Sequence, residues 1–91
     1  MNNIKDDIDI DKLLLNIDKL YTTPLGVERI LRNLSLDNQT DVVKWCKQKS
    51  QETGALIKRQ GKNYYIQVED CVITINAHSF TIITAHKLKG K

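Results

Sequence analysis

The sequence predicts an α+β domain in which three N-terminal helices pack on one face of a C-terminal antiparallel four-stranded sheet. Two observations carry this reading. Apolar residues recur with a period near 3.6 as far as Gly54 and with a period of 2 after it. Helical and extended patterns do not alternate, so no strand–helix–strand unit and no parallel sheet is expected. With 91 residues, 41% hydrophobic and 27% charged, and only 4 Gly and 1 Pro, the chain reads as one domain over residues 1–91. A domain this small buries one layered core and has little volume left for an internal substrate cavity. Any site is therefore expected on a face, an edge or a seam.

Residues 1–8 read as an acidic leader. Ile10, Leu13, Leu14, Ile17, Leu20 and Tyr21 then follow the i, i+3, i+4, i+7 rule, which predicts a helix over 10–21 with Asp11, Lys12, Asp18 and Lys19 in water. Thr22-Thr23-Pro24 supplies a capping hydroxyl and a proline at the position where a missing amide costs nothing, and so opens a second helix. Leu25, Val27, Ile30, Leu31 and Leu34 form its apolar face, and Asn33 to Ser35 end it. Thr40 and Asp41 open a third on Val42, Val43, Trp45 and Cys46, with Gly54 expected as the left-handed residue that closes it. Beyond this helical part, 9–54, residues 55–59 and 63–68 flank Gln60-Gly61-Lys62 as one hairpin. Residues 71–77 and 80–86 flank His78-Ser79 as a second, completing a sheet over 55–87 that a basic tail, 88–91, follows.

No apolar run approaches the roughly 18 residues of a membrane span, and no secretory or lipidation pattern is present, so a cytoplasmic protein is expected. Cys46 and Cys71 are far apart without a CxxC pair, which in a reducing compartment argues for free thiols or metal ligands rather than a disulfide. Charge is uneven along the chain. Residues 1–20 hold five acids and three bases, residues 21–54 four and five, and residues 55–91 two and six. The electropositive second half suits a polyanion or an acidic groove on another protein.

Side chains alternate along a strand, so Val72, Thr74 and Asn76 should share the open face of the sheet while Cys71, Ile73 and Ile75 face the core. The loop before the last strand decides the rest. An odd loop sets Ile82, Thr84 and His86 beside Thr74 and Asn76, where His86 could act as a general acid or base and Arg29, Lys58 or Lys62 could stabilise a phosphorane. That layout is similar to the metal-independent ribonucleases of the barnase and RelE-like toxin group, with Arg29, Asn76, Thr84 and His86 as the catalytic set. An even loop turns His86 inward, opposite Cys71 and under Cys46, giving three of the four ligands of a zinc site with Asp70, Glu69 or water as the fourth. Separately, Lys58, Arg59, Lys62, Asn63 and Tyr64 make a basic, aromatic turn suited to phosphate or to a protein interface, and Trp45 and the pair Tyr64-Tyr65 could stack on bases or anchor a protein interface.

The phrases YTTPLGVERILRNL (21–34), VVKWCK (42–47), GKNYYI (61–66) and ITINAHSFTIITAHK (73–87) resemble an uncharacterised bacterial family, domain of unknown function family 3781, over about residues 13–87. The family pattern has His at the place of Tyr21 and Trp at the place of Tyr64. The resemblance implies Arg29, Asn33, Trp45, Cys46, Lys62, Asn63, Asn76, Ser79, Thr84 and His86 as candidates, and it implies no activity, substrate or cofactor. Small single-domain proteins of this sort are also similar to those that phages and mobile elements use against host nucleases. The expected function is a binding protein, an inhibitor of a host nucleic-acid enzyme such as a CRISPR nuclease (anti-CRISPR type). The alternative is the ribonuclease.

Overall fold

The computed structural model describes residues 4–88 and has the expected α+β architecture. Helices α1 (Ile4–Leu15), α2 (Pro24–Leu34) and α3 (Val42–Ser50) precede strands β1 (Leu56–Gln60), β2 (Asn63–Val68), β3 (Cys71–Asn76) and β4 (Ile82–Lys87). The strands form one antiparallel meander in the order β1-β2-β3-β4. α1 packs on β1, α2 on β4 and α3 on β2. One continuous core fills the seam, with Leu13, Ile30, Leu34, Val42 and Cys46 from the helices meeting Tyr64, Ile66, Ile73, Ile75 and Ala85 from the sheet.

The first helix is displaced from its predicted span. Residues 4–8 belong to α1 rather than to a leader, and the helix stops at Leu15 instead of Tyr21. Asn16 ends it, its amide donating to the Lys12 carbonyl at 2.8 Å, and a 3-10 turn, Ile17–Lys19, follows. Leu13, Ile17 and Leu20 still reach the core. Tyr21 does not, because the sheet recruits its backbone. Its N–H donates to Phe80 O, its carbonyl accepts from Ile82 N at 2.7 Å, and its ring stays half exposed.

Thr23 caps α2 as predicted, accepting from Gly26 N at 3.0 Å, with Pro24 behind it, and the left-handed Ser35 (φ 54°) ends the helix. Leu25, read as part of the apolar face, points outward. Asp41 caps α3 by accepting from Lys44 N at 3.1 Å. The Ser50 hydroxyl donates to Cys46 O at 2.7 Å, the back-bond that often accompanies a helix end. Gln51 is the C-cap, so Gly54 does not close α3 and is not left-handed. Between β1 and β2 the connection is two residues, Gly61-Lys62, with Gly61 at φ 61°, the conformation a primed hairpin turn demands at that place. Residues 89–91 of the expected basic tail lie outside the described residues.

Thr22 and Gly26 lock the α2 start to the sheet. The Thr22 hydroxyl donates to the Ile82 carbonyl at 2.9 Å on the outer edge of β4, and a methyl at Gly26 would collide with that same Oγ1. Gly26→Ala, favourable in an open helix by almost 1 kcal/mol, is therefore expected to destabilise by about 1–3 kcal/mol. Denaturant midpoints check this, with Thr22→Ala removing most of the added penalty of Gly26→Ala when the two are combined. An Ala variant at least as stable as the parent would remove the lock.

Candidate binding face

The register of β4 falls between the two expected alternatives. Ile82 pairs with Ile75 on the core face, yet Thr84 pairs with Thr74 and His86 with Val72 on the open face. A β-bulge between these pairs, with Ile83 as the extra residue, changes the parity within the strand. Ile82 thus follows the even-loop expectation, while Thr84 and His86 follow the odd one.

This parity change separates the expected zinc ligands. Cys46 is fully buried on α3 and Cys71 lies on the core face, whereas His86 is exposed on the opposite face with its Nδ1 3.1 Å from Lys87 O. Among the described residues no three His, Cys, Asp or Glu side chains come together. Of the expected fourth ligands, Glu69 pairs with Lys49 at 3.0 Å, and Asp70 stands beside Cys71, accepting from its thiol at 3.5 Å. These residues do not fit a shared zinc site.

The catalytic set is divided as well. Arg29 is exposed on α2 in the helical layer, on the other side of the sheet from His86. Asn33 is used structurally, its amide donating to Ala85 O at 3.3 Å. Asn76 shapes the loop before β4, its Oδ1 accepting from His78 N at 2.9 Å and Ser79 N at 3.0 Å. Ser79 and Thr81 bond each other through their hydroxyls at 2.7 Å.

The expected basic turn splits between two faces. Tyr64 is a core residue with no exposed surface, and its hydroxyl finds no hydrogen-bond partner among the described residues. Arg59 lies above that ring on the helical side, 5.6 Å from its centroid, and pairs with Asp9 of α1 at 3.5 Å. Period 2 required this, because Lys58 and Arg59 cannot share a face. Trp45 is half-buried in the helical layer with Lys49 over it at 5.6 Å. Lys58, Asn63 and the turn residue Lys62 remain on or beside the open face.

That face is an ordered grid. Lys58, Tyr65, Thr74 and Thr84 are successive cross-strand partners and make one row, and Leu56, Gln67, Val72 and His86 make the next. Thr74 is 7% exposed even here, between Tyr65 and Thr84. A groove of about 300 Å³ runs across β1 to β3, lined by Leu56, Lys58, Tyr65, Gln67 and Val72. Sequence reading weighed Tyr65 but missed Leu56, Gln67 and Val72 as one site. The signal was available in the hairpin, since a two-residue turn at Gly61-Lys62 fixes Lys58 opposite Tyr65. The four strands, LIKRQ, NYYIQV, CVITIN and IITAHK, contain no carboxylate.

A family model described as "Protein of unknown function (DUF3781)" matches residues 14–86. The chain belongs to the DUF3781 family. No curated protein and no solved structure matches it. Membership in DUF3781 bears out the resemblance of the four sequence phrases and assigns no chemistry, so function rests on the geometry of this chain. Among the described residues, no helix is long and apolar enough to cross a membrane.

Proposed function

We propose that this DUF3781 protein is a stoichiometric binding protein whose contact surface is the open face of the sheet. The observation that carries it is that the open-face positions of the four strands hold no carboxylate, while Lys58 and His86 stand among them and Lys62 stands at the adjoining turn. Such a face attracts an anionic partner and carries no like charge to repel it. The separation of Arg29 from His86 by the thickness of the sheet, and the use of Asn76 within its own loop, weigh against the ribonuclease reading. Within the binding reading, the protein is an inhibitor of a host nucleic-acid enzyme, of the anti-CRISPR type when that enzyme is a CRISPR nuclease. The channels of such enzymes are themselves cationic, so this face fits the nucleic acid that the enzyme holds, or an acidic surface beside it, and not the empty channel.

Titration of the purified protein into a guide-loaded CRISPR nuclease tests this. Inhibition is expected to saturate near one equivalent, and substituting Lys58→Glu on the open face is expected to weaken it at least tenfold. Multiple-turnover cleavage of RNA by the isolated protein, leaving a 2′,3′-cyclic phosphate and abolished by His86→Ala, would establish the ribonuclease instead.

A further inference from the structure

The open face is more than a basic surface. In the groove between β1 and β3, Leu56 and Val72 give an apolar floor, the half-exposed Tyr65 ring an aromatic wall, exposed Gln67 an amide with both donor and acceptor, and Lys58 an ammonium at the rim. Tyr65 is steadied, because its hydroxyl accepts from the Asn63 amide at 3.3 Å. Lys58 and Tyr65 are direct cross-strand partners, so both side chains rise from neighbouring strands, whose backbones lie about 4.8 Å apart, on the same face.

An aromatic ring, an edge-reading amide and a cation over an apolar floor match the three parts of an unpaired nucleotide. The base offers a π-face that stacks on an aromatic side chain, its edge offers donors and acceptors, and its phosphate takes a cation. A duplex hides its base faces and leaves such a groove with phosphate contacts alone. We propose that this groove binds single-stranded nucleic acid, with one base stacked on Tyr65 beside Gln67 and the adjoining phosphate on Lys58. Across the strands the row continues from Val72 to His86, and along the strand axes Lys62 stands at the turn beyond Lys58 and Tyr65, so neighbouring phosphates also meet positive or neutral side chains. The nearest acids in sequence, Glu69 and Asp70, sit in the β2–β3 turn, and Glu69 is paired with Lys49. This inference rests on the open face being the contact surface and adds the class of partner.

Fluorescence anisotropy with a labelled oligouridylate, and separately with the deoxy strand of matching length, tests it on the intact chain. Binding at low salt is expected, with at least a tenfold preference over a duplex of equal length. Tyr65→Ala is expected to weaken it about tenfold or more, and Tyr65→Phe to retain it, since stacking needs the ring and not the hydroxyl. Lys58→Ala, an exposed substitution with little bearing on folding, is expected to make the salt dependence shallower by about 0.7 in the log–log slope, the share of one phosphate contact on a single strand. Absence of binding at low salt, or unchanged binding by a folded Tyr65→Ala variant, overturns the inference. So does polyglutamate binding as tightly as the oligonucleotide, which assigns the face to an acidic protein surface. If the oligonucleotide fails to bind while inhibition of the nuclease still saturates at one equivalent, this inference is lost and the binding reading stands. If the oligonucleotide is consumed, it is the binding reading that fails.

Discussion

Tyr64→Ala is expected to lower the folding free energy by about 3–5 kcal/mol, whereas Tyr64→Phe is expected to leave it unchanged or raise it. Tyr64 is the largest fully buried side chain, set between Ile75 of β3 and Arg59 of β1 and under the Arg59 guanidinium. Removing the ring leaves a cavity that neighbouring Ile residues fill only in part. Removing the hydroxyl takes away a buried polar atom without a partner among the described residues and keeps both the packing and the cation above the ring. For a domain with a total stability of roughly 5–15 kcal/mol the first change is severe. Urea denaturation measures both variants. A loss of more than about 1 kcal/mol in Tyr64→Phe would mean that the hydroxyl is bonded, and would contradict this account of the core.

Stability is also expected to fall steeply in alkali. Burial pushes the Cys46 thiol from its ordinary 9.0 up to about 12, and burial likewise raises the Cys71 thiol and the Tyr64 phenol. Each group has its folded value above its unfolded one, so the fold favours the protonated form. The contribution is complete below pH 9, where both states are protonated. It is lost as pH rises past the unfolded value towards the folded one, for Cys46 between pH 9 and 12, as the unfolded chain ionises and the folded chain does not. For Cys46 alone this amounts to about 1.4 kcal/mol per pH step, or about 4 kcal/mol across the interval. Denaturant midpoints from pH 8 to pH 11.5 follow the effect. Cys46→Ala starts from a lower stability because it opens a small cavity, and its decline with pH is expected to be visibly shallower. Parallel declines in the parent and in Cys46→Ala would show that this thiol ionises freely in the fold.

The fold was legible in the sequence where local chemistry and long-range packing agree. Thr23 and Asp41 cap helices as their side chains suggest, and the change of period at Gly54 marks the passage from helices to sheet. It was less legible where the rest of the molecule overrides a local pattern. Tyr21 completes a helical stripe on paper, yet its backbone is drawn into an extended bridge with Thr81. Gly54 has the chemistry of a helix stop, but α3 ends four residues earlier, where the Ser50 hydroxyl turns back on Cys46. The most consequential gap is the bulge at Ile83. Nothing in the run Thr81 to Thr84 distinguishes a regular strand from a bulged one, and this one extra residue decides that His86 looks away from Cys71. Of the candidate site, Lys58 was visible as a cation beside a turn. Its company with Tyr65 and Gln67 depended on a register that the two-residue turn sets, and reading Lys58, Arg59 and Tyr64 as one cluster ignored the alternation that places Lys58 outside and the other two inside.

The central claim is that the open face of the sheet, and not the helical layer, meets an anionic partner. Backbone amide chemical shifts, followed while an oligouridylate and then polyglutamate are titrated in, test it most directly. The account predicts that the perturbed amides cluster on β1 to β4 around Lys58, Tyr65, Gln67, Val72 and His86 with at least one of these two polyanions, and that α2 and α3 stay unmoved. Perturbations centred on Arg29 and Lys44 in the helical layer, or none with either polyanion, would contradict it.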